Sequence, residues 1–119
     1  MPVRSVHAFT DDALGDLDAV GLADALRNRR RDGREVLAAA VDRARRVDSA
    51  LAAIAADAFA AAVPPAGSAA EGPFAGVPTF IKDAVDVEGL PTRHGTDALA
   101  HVGPATKTAD IARHMLDMG

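Results

Sequence analysis

At 119 residues and a formal net charge of −4, the chain has the length of one domain or of a piece of a larger one. With a pI near 5.4 it has no general attraction for nucleic acid or anionic lipid. The absence of cysteine excludes disulfides, thiolate metal sites and a cysteine nucleophile, and it fits a reducing cytoplasm.

Hydrophobic residues make up 49% of the sequence, but alanine dominates them and only four Phe supply aromatic area. The predicted core is therefore thin, because Leu, Ile, Val and Phe contribute roughly 1.5–3 kcal/mol each on burial and alanine far less. Met1-Pro2-Val3-Arg4-Ser5-Val6-His7 contains no apolar stretch of the secretory type, so no signal peptide is expected. Nothing reaches the roughly 18 apolar residues of a membrane span; Leu51–Val63 comes nearest, and Asp57 interrupts it. A soluble, cytoplasmic protein is the expectation.

In chain order, Asp16 or Asp18 is placed to cap a helix over Ala19–Arg29, with Leu22, Ala25 and Leu26 on one face. Arg27, Arg29, Arg30 and Arg31 gather at its end, where cations complement the helix dipole; acidic neighbours argue against a nucleic-acid patch. Asp32-Gly33 breaks the chain. A second helix is predicted over Arg34–Val47, its stripe formed by Val36, Leu37, Ala40, Val41, Ala44 and Val47, with Asp48-Ser49 as the stop. Residues 51–56 read as a buried strand or as helix, and 57–63 as a short helix ending at Pro64-Pro65. Pro64–Pro73 is a loop. Thr79–Val87 carries a strand signal, Gly89-Leu90-Pro91 a turn, and Thr108 is placed to cap a helix over about 108–118. The pattern is that of an α/β fold whose strands lack neighbours, which suggests the front part of something larger.

The residue with the most chemical interest is Lys82, set in the apolar run Phe80-Ile81-Lys82 between turn residues. On a strand, Phe80, Lys82 and Ala84 share one face. A lysine in such a place ordinarily keeps a sheet edge soluble, and Asp83 is then its ion-pair partner. Removed from water, the same amine loses its proton more readily and becomes a base.

The frame around it is specific. Gly76-Val77-Pro78, Lys82-Asp83, Val85-Asp86-Val87, Gly89-Leu90-Pro91-Thr92 and Gly95-Thr96 follow one another at the spacing found in the amidase signature family, which this segment resembles. The resemblance extends more weakly outward: Leu22–Arg29, the Arg34-Glu35-Val36 helix and Leu51–Ala56 look like the family's N-terminal helices and first strand, and Pro104-Ala105-Thr106 with the helix after it like the element following the lysine strand. It implies the N-terminal portion of the amidase fold, with helices packed on a mixed central β-sheet, incomplete in this chain. It also implies a Ser–cis-Ser–Lys relay in which Lys82 is the general base. The lysine takes a proton through a bridging serine, a second serine attacks an amide carbonyl, ammonia or an amine leaves, and water releases the carboxylate. No cofactor or metal is implied. The implied substrate is a small-molecule amide.

Two departures stand out. The family's Gly/Ser-rich segment with both serines lies downstream of the lysine and is absent here, so the chain is expected to be inactive alone. Its serines are Ser5, Ser49 and Ser68, none in a Gly-x-Ser-x-Gly frame. Ala84 and Thr96 stand where the family commonly has Asn and Ser. His7, His94, His101 and His114 lack metal-ligand spacing, and Asp83, Asp86 and Glu88 lack the glycine and terminal glutamate of a calcium loop.

Two other readings stand beside hydrolysis. Within the family, transamidating subunits act on misacylated transfer RNA, against which the acidic pI argues mildly. Outside it, the Ala-rich pair over Ala19–Val63 would suit a non-catalytic helical interaction module, packing on a partner or, as a homodimer, on a second copy. The segment 74–97 separates these, since an interaction module has no need of a lysine framed in this way.

Overall fold

The computed structural model describes residues 5–119, apart from the side chain of Ser68. The expectation about a secretory signal rests in part on Met1–Arg4, which lie outside the described residues. The described residues form three α-helices: α1 (Ala19–Arg27), α2 (Gly33–Leu51) and α3 (Asp110–Asp117). Single turns of 3-10 helix occur at Phe59–Ala61, Gly67–Glu71 and Asp97–Leu99. None of the described helices is long and apolar enough to cross a membrane.

Aspartates set the helix boundaries. Asp18, in extended conformation, accepts from the Gly21 amide at 2.7 Å and starts α1. Asp32 accepts from the amides of Arg34 and Glu35 at 2.8 and 3.2 Å and starts α2. Such caps satisfy amides that the helix itself leaves without acceptors. Between the helices Arg29 adopts a left-handed φ of 55°. Asp48 does not stop α2. The helix runs on to Leu51, Ala52 turns left-handed, and the Asp48 carboxylate accepts from the amides of Ala53 and Ile54 at 2.7 and 2.9 Å.

The expectation of an α/β fold with helices on a mixed β-sheet is overturned, since no strand occurs among the described residues. Ladder pairing is confined to one isolated parallel bridge, Glu88 with Ala105. Residues 51–56 are consumed by the end of α2 and by its Asp48 cap. Residues 79–87 keep a period of two in their burial: Ile81, Asp83, Val85 and Val87 are partly covered, while Lys82, Ala84, Asp86 and Glu88 are exposed. What the segment lacks is a neighbour. A strand's amides and carbonyls alternate outward and need a second extended segment beside them, and among the described residues only 105–109 come alongside, reaching its far end where the Ala109 amide donates to Asp86. Turns form instead, beginning with Ala84 and Val85, whose amides donate to the Lys82 carbonyl at 2.7 and 3.1 Å.

Polar tertiary ties join segments far apart in the sequence. Arg43 of α2 reaches back to the N-terminal segment. Its guanidinium donates to both carboxylate oxygens of Asp12, at 2.7 and 2.5 Å, and to the carbonyl of Gly15 at 2.7 Å. Asp12 also accepts from the amides of Leu14 and Gly15, and Arg46 donates to the Ala8 carbonyl at 2.6 Å. At the other end, residues 118–119 close on the turn after Pro73. Phe74 donates to the Met118 carbonyl at 3.0 Å and Gly76 to that of Gly119 at 2.9 Å. Gly76 has φ +83°, and a Cβ there would meet Leu26 Cδ1 at 3.3 Å, so this turn needs glycine. Thr108 does not cap α3; its hydroxyl accepts from the Glu88 amide at 3.0 Å.

The buried core consists of Leu22, Ala23, Ala25, Val36, Ala39, Ala44 and Ala112, of which Val36 is the largest fully enclosed side chain. The body measures 47 × 45 × 20 Å, with a radius of gyration of 15.6 Å, against about 13.5 Å for a compact chain of this length. Its accessible surface is 8554 Å², where a compact monomer of this mass exposes roughly 6,100 Å².

Two outcomes follow. A chain with so small a core unfolds without a sharp cooperative step; a steep, reversible two-state melt of monomeric 1–119 by circular dichroism would contradict this. Chiefly through its bond with Arg43, the Asp12 carboxyl is held down at about 2, against 3.8 ordinarily. The folded pKa is the depressed one, so the contribution is complete above pH ~4 and is lost as pH falls towards 2. After allowance for remaining solvent it amounts to about 1 kcal/mol. Acid titration should release residues 8–15 from α2 in that window, followed by the amide signals of Leu14 and Gly15, and Asp12→Asn should abolish the pH dependence.

Candidate active site around Lys82

Lys82 stands in the unpaired segment that follows Gly76-Val77-Pro78. It is exposed, and its amine has no ion-pair partner among the described residues. Asp83 is occupied elsewhere: one carboxylate oxygen accepts from the Arg93 amide at 2.7 Å and the other from the Gly95 amide at 3.0 Å. These two bonds, the Arg93 amide first, hold the Asp83 carboxyl below the usual carboxylate range. The turn they secure is unusual backbone, with His94 at φ 52° and Gly95 at φ 68°. Within the loop, Thr92 donates its hydroxyl proton to Asp86 at 2.7 Å. Thus the two acids of Lys82-Asp83 and Val85-Asp86-Val87 close the chain on Thr92–Gly95, with Lys82 at the neck.

The outer side of this loop is fastened to the segment leading into α3. Gly89 donates to Ala105 and Ala105 to Leu90, each at 2.9 Å, and Ala109 donates to Asp86 at 2.9 Å. The neck of the loop is therefore anchored twice, once by side-chain carboxylates and once by backbone.

Just before Lys82 the chain borders a cleft of about 690 Å³. Ile81 and Leu90 line it on one side, Leu22 of α1 and Leu37, Val41 and Val47 of α2 on the other. Lys82 itself does not line it. Neither serine with a described side chain is brought to the amine: Ser49 is exposed within α2, Ser5 is exposed in the N-terminal segment, and Lys82 makes no hydrogen bond to either. The dryness that would turn this lysine into a base is not supplied by any described residue.

Sequence reading missed the structural use of Asp83. Its signal was an aspartate ten residues before Arg93-His94-Gly95, a short acceptor facing a turn whose amides no sheet would satisfy. Asp83→Ala should speed hydrogen exchange at the amides of Arg93 and Gly95 by about an order of magnitude. Lowering the pH below the usual carboxylate range should do the same in the unsubstituted chain, because the clamp requires the ionised form and its carboxyl is held low. Unchanged exchange in Asp83→Ala would refute the clamp.

A family profile described as Amidase matches residues 35–119. A protein of Mycobacterium tuberculosis (strain ATCC 25618 / H37Rv) named "Putative amidase AmiC" is 52% identical over 116 residues, covering 96% of this chain and 24% of that protein. The protein of the same name from Mycobacterium leprae (strain TN) is 53% identical over 96 residues, covering 81% and 20%. No solved structure gives a significant match. The chain spans about a quarter of the length of these curated relatives. With well over half of its residues inside the profile, the frame around Lys82 included, the chain belongs to the amidase signature family.

Proposed function

We propose that this chain carries the general base, Lys82, of a centre that hydrolyses the C–N bond of a small carboxamide to a carboxylate and ammonia or an amine. The single observation that supports it is positional. Gly76-Val77-Pro78, Lys82-Asp83 and Gly89-Leu90-Pro91-Thr92 all fall within the stretch matched by the amidase profile. In this reading neutral Lys82 accepts a proton through a bridging serine, and the second serine's oxygen bonds to the amide carbonyl carbon. The nitrogen leaves with a proton, and water then cleaves the acyl–serine bond and restores the serine. Both serines are contributed from outside these residues, so the 119-residue chain releases no product alone. The clamp made by Asp83 supports the reading physically, because a proton relay needs its base held at a fixed place. The partner is a small molecule, neither nucleic acid nor membrane, and the cysteine-free, acidic composition is in keeping with a cytoplasmic setting.

The test joins residues 1–119 to the unmatched remainder of a mycobacterial relative and measures ammonia release from simple carboxamides. Lys82→Ala should lower kcat/KM on the order of 10⁴-fold or more. Lys82→Arg should do the same, since a guanidinium keeps the charge and does not act as a base. Retained activity in either variant, or ammonia release by the 119-residue chain alone, would dismiss the proposal.

A further inference from the structure

We infer that Arg93 is a specificity residue of the same centre, and that its guanidinium receives a carboxylate borne by the substrate a few carbons from the carboxamide. The inference rests on the reading of Lys82 as the base and names the class of substrate: an amide that carries a free carboxylate of its own.

The observation behind it is an unpartnered cation. Arg93 is partly covered, and its Nε is buried without a hydrogen bond. Among the described residues its side chain donates to no acceptor and forms no ion pair; only its backbone amide is engaged, with Asp83. A guanidinium drawn partly out of water without an acceptor is costly, and the cost is removed when a partner arrives. Nε and a terminal nitrogen together form a fork that matches the two oxygens of a carboxylate.

Two carboxylates already stand in the same loop, and neither serves. Asp83 spends its oxygens on the amides of Arg93 and Gly95, at 2.7 and 3.0 Å. Asp86 accepts from the Thr92 hydroxyl at 2.7 Å. The loop thus keeps its own acids occupied and leaves the guanidinium open to an anion from elsewhere. One fork answers one carboxylate; a phosphate monoester, with nearly two charges and three acceptor oxygens, would leave most of its acceptors unmet.

Position ties this cation to the lysine. Asp83 follows Lys82 directly and holds the Arg93 amide at 2.7 Å, which puts that nitrogen within roughly 10 Å of the Lys82 Cα. Such a separation suits a short substrate held at one end by the arginine fork and attacked at the other beside the amine. The turn at His94 and Gly95, with φ of 52° and 68°, fixes the backbone from which Arg93 projects, so the spacing is set before any ligand binds.

The experiment takes residues 1–119 joined to the remainder of a mycobacterial relative and compares two amides of equal chain length, succinamate and the neutral butyramide. Succinamate should be the better substrate in kcat/KM by about 10- to 100-fold, chiefly through KM. Arg93→Gln should abolish that preference, and Arg93→Lys, which keeps the charge without the fork, should restore only part of it. A second measurement needs no turnover. The Arg93 Nε–H signal in heteronuclear NMR, identified by its loss in Arg93→Lys, should move on addition of succinate and stay in place with butyramide.

Equal rates on the two amides, a preference that survives Arg93→Gln, or an Nε–H signal unmoved by succinate each overturns the inference. The last result would mean that the guanidinium is already paired within the joined protein. A protein that hydrolyses neither amide but binds succinate through Arg93 keeps the carboxylate site and removes Lys82 from the chemistry.

Discussion

Among the described residues backbone amides have no strand to pair with, and short acidic side chains serve many of them outside the helices. Asp18 and Asp32 begin α1 and α2, Asp48 receives the chain as it leaves α2, and Asp12 organises the N-terminal segment around Arg43. Asp83 binds the turn that faces Lys82. Each joins a carboxylate to amides that would otherwise depend on water. An acidic sequence thus becomes a folded one through many local closures, with little need of a deep interior.

The manner of closure explains which parts of the fold were legible in the sequence. Val36, Ala44 and Leu22 recur at helical spacing, and their burial follows from that period. The alternation of residues 79–87 was equally legible and survives in the burial pattern, yet it forms no sheet. Periodicity reports which side of a segment is covered; it carries no information about whether another segment lies alongside to accept its hydrogen bonds. Asp48 shows a second limit. An aspartate near a helix end reads as a stop, but the same side chain can serve the amides beyond the end while the helix continues past it.

The candidate site divides in the same way. Lys82 and its glycine and proline punctuation stand out because they interrupt an apolar run. Asp83 did not stand out as a clamp, because its partners are main-chain amides ten and twelve residues away and no residue type there announces them. The family frame located the lysine; its mechanical support emerges only from three-dimensional geometry. The two belong together, since an amine on an unpaired segment would otherwise wander over several ångströms.

The 20 Å thickness of the body bears on electrostatics throughout. Domains are ordinarily built from packed layers around one core, and at 20 Å this body has room for no more than about two helix diameters. No atom lies deeper than about 10 Å from a face, so most charged groups keep a short path to solvent and only a close pair such as Asp12 with Arg43 interacts strongly. In such a sheet-thin body a charged group cannot be given a private dielectric by its own chain. Its carboxylates are tuned by immediate neighbours, Asp12 by Arg43 and Asp83 by the amides of Arg93 and Gly95, so direct contact, and not depth, is the means by which this slab sets reactivity.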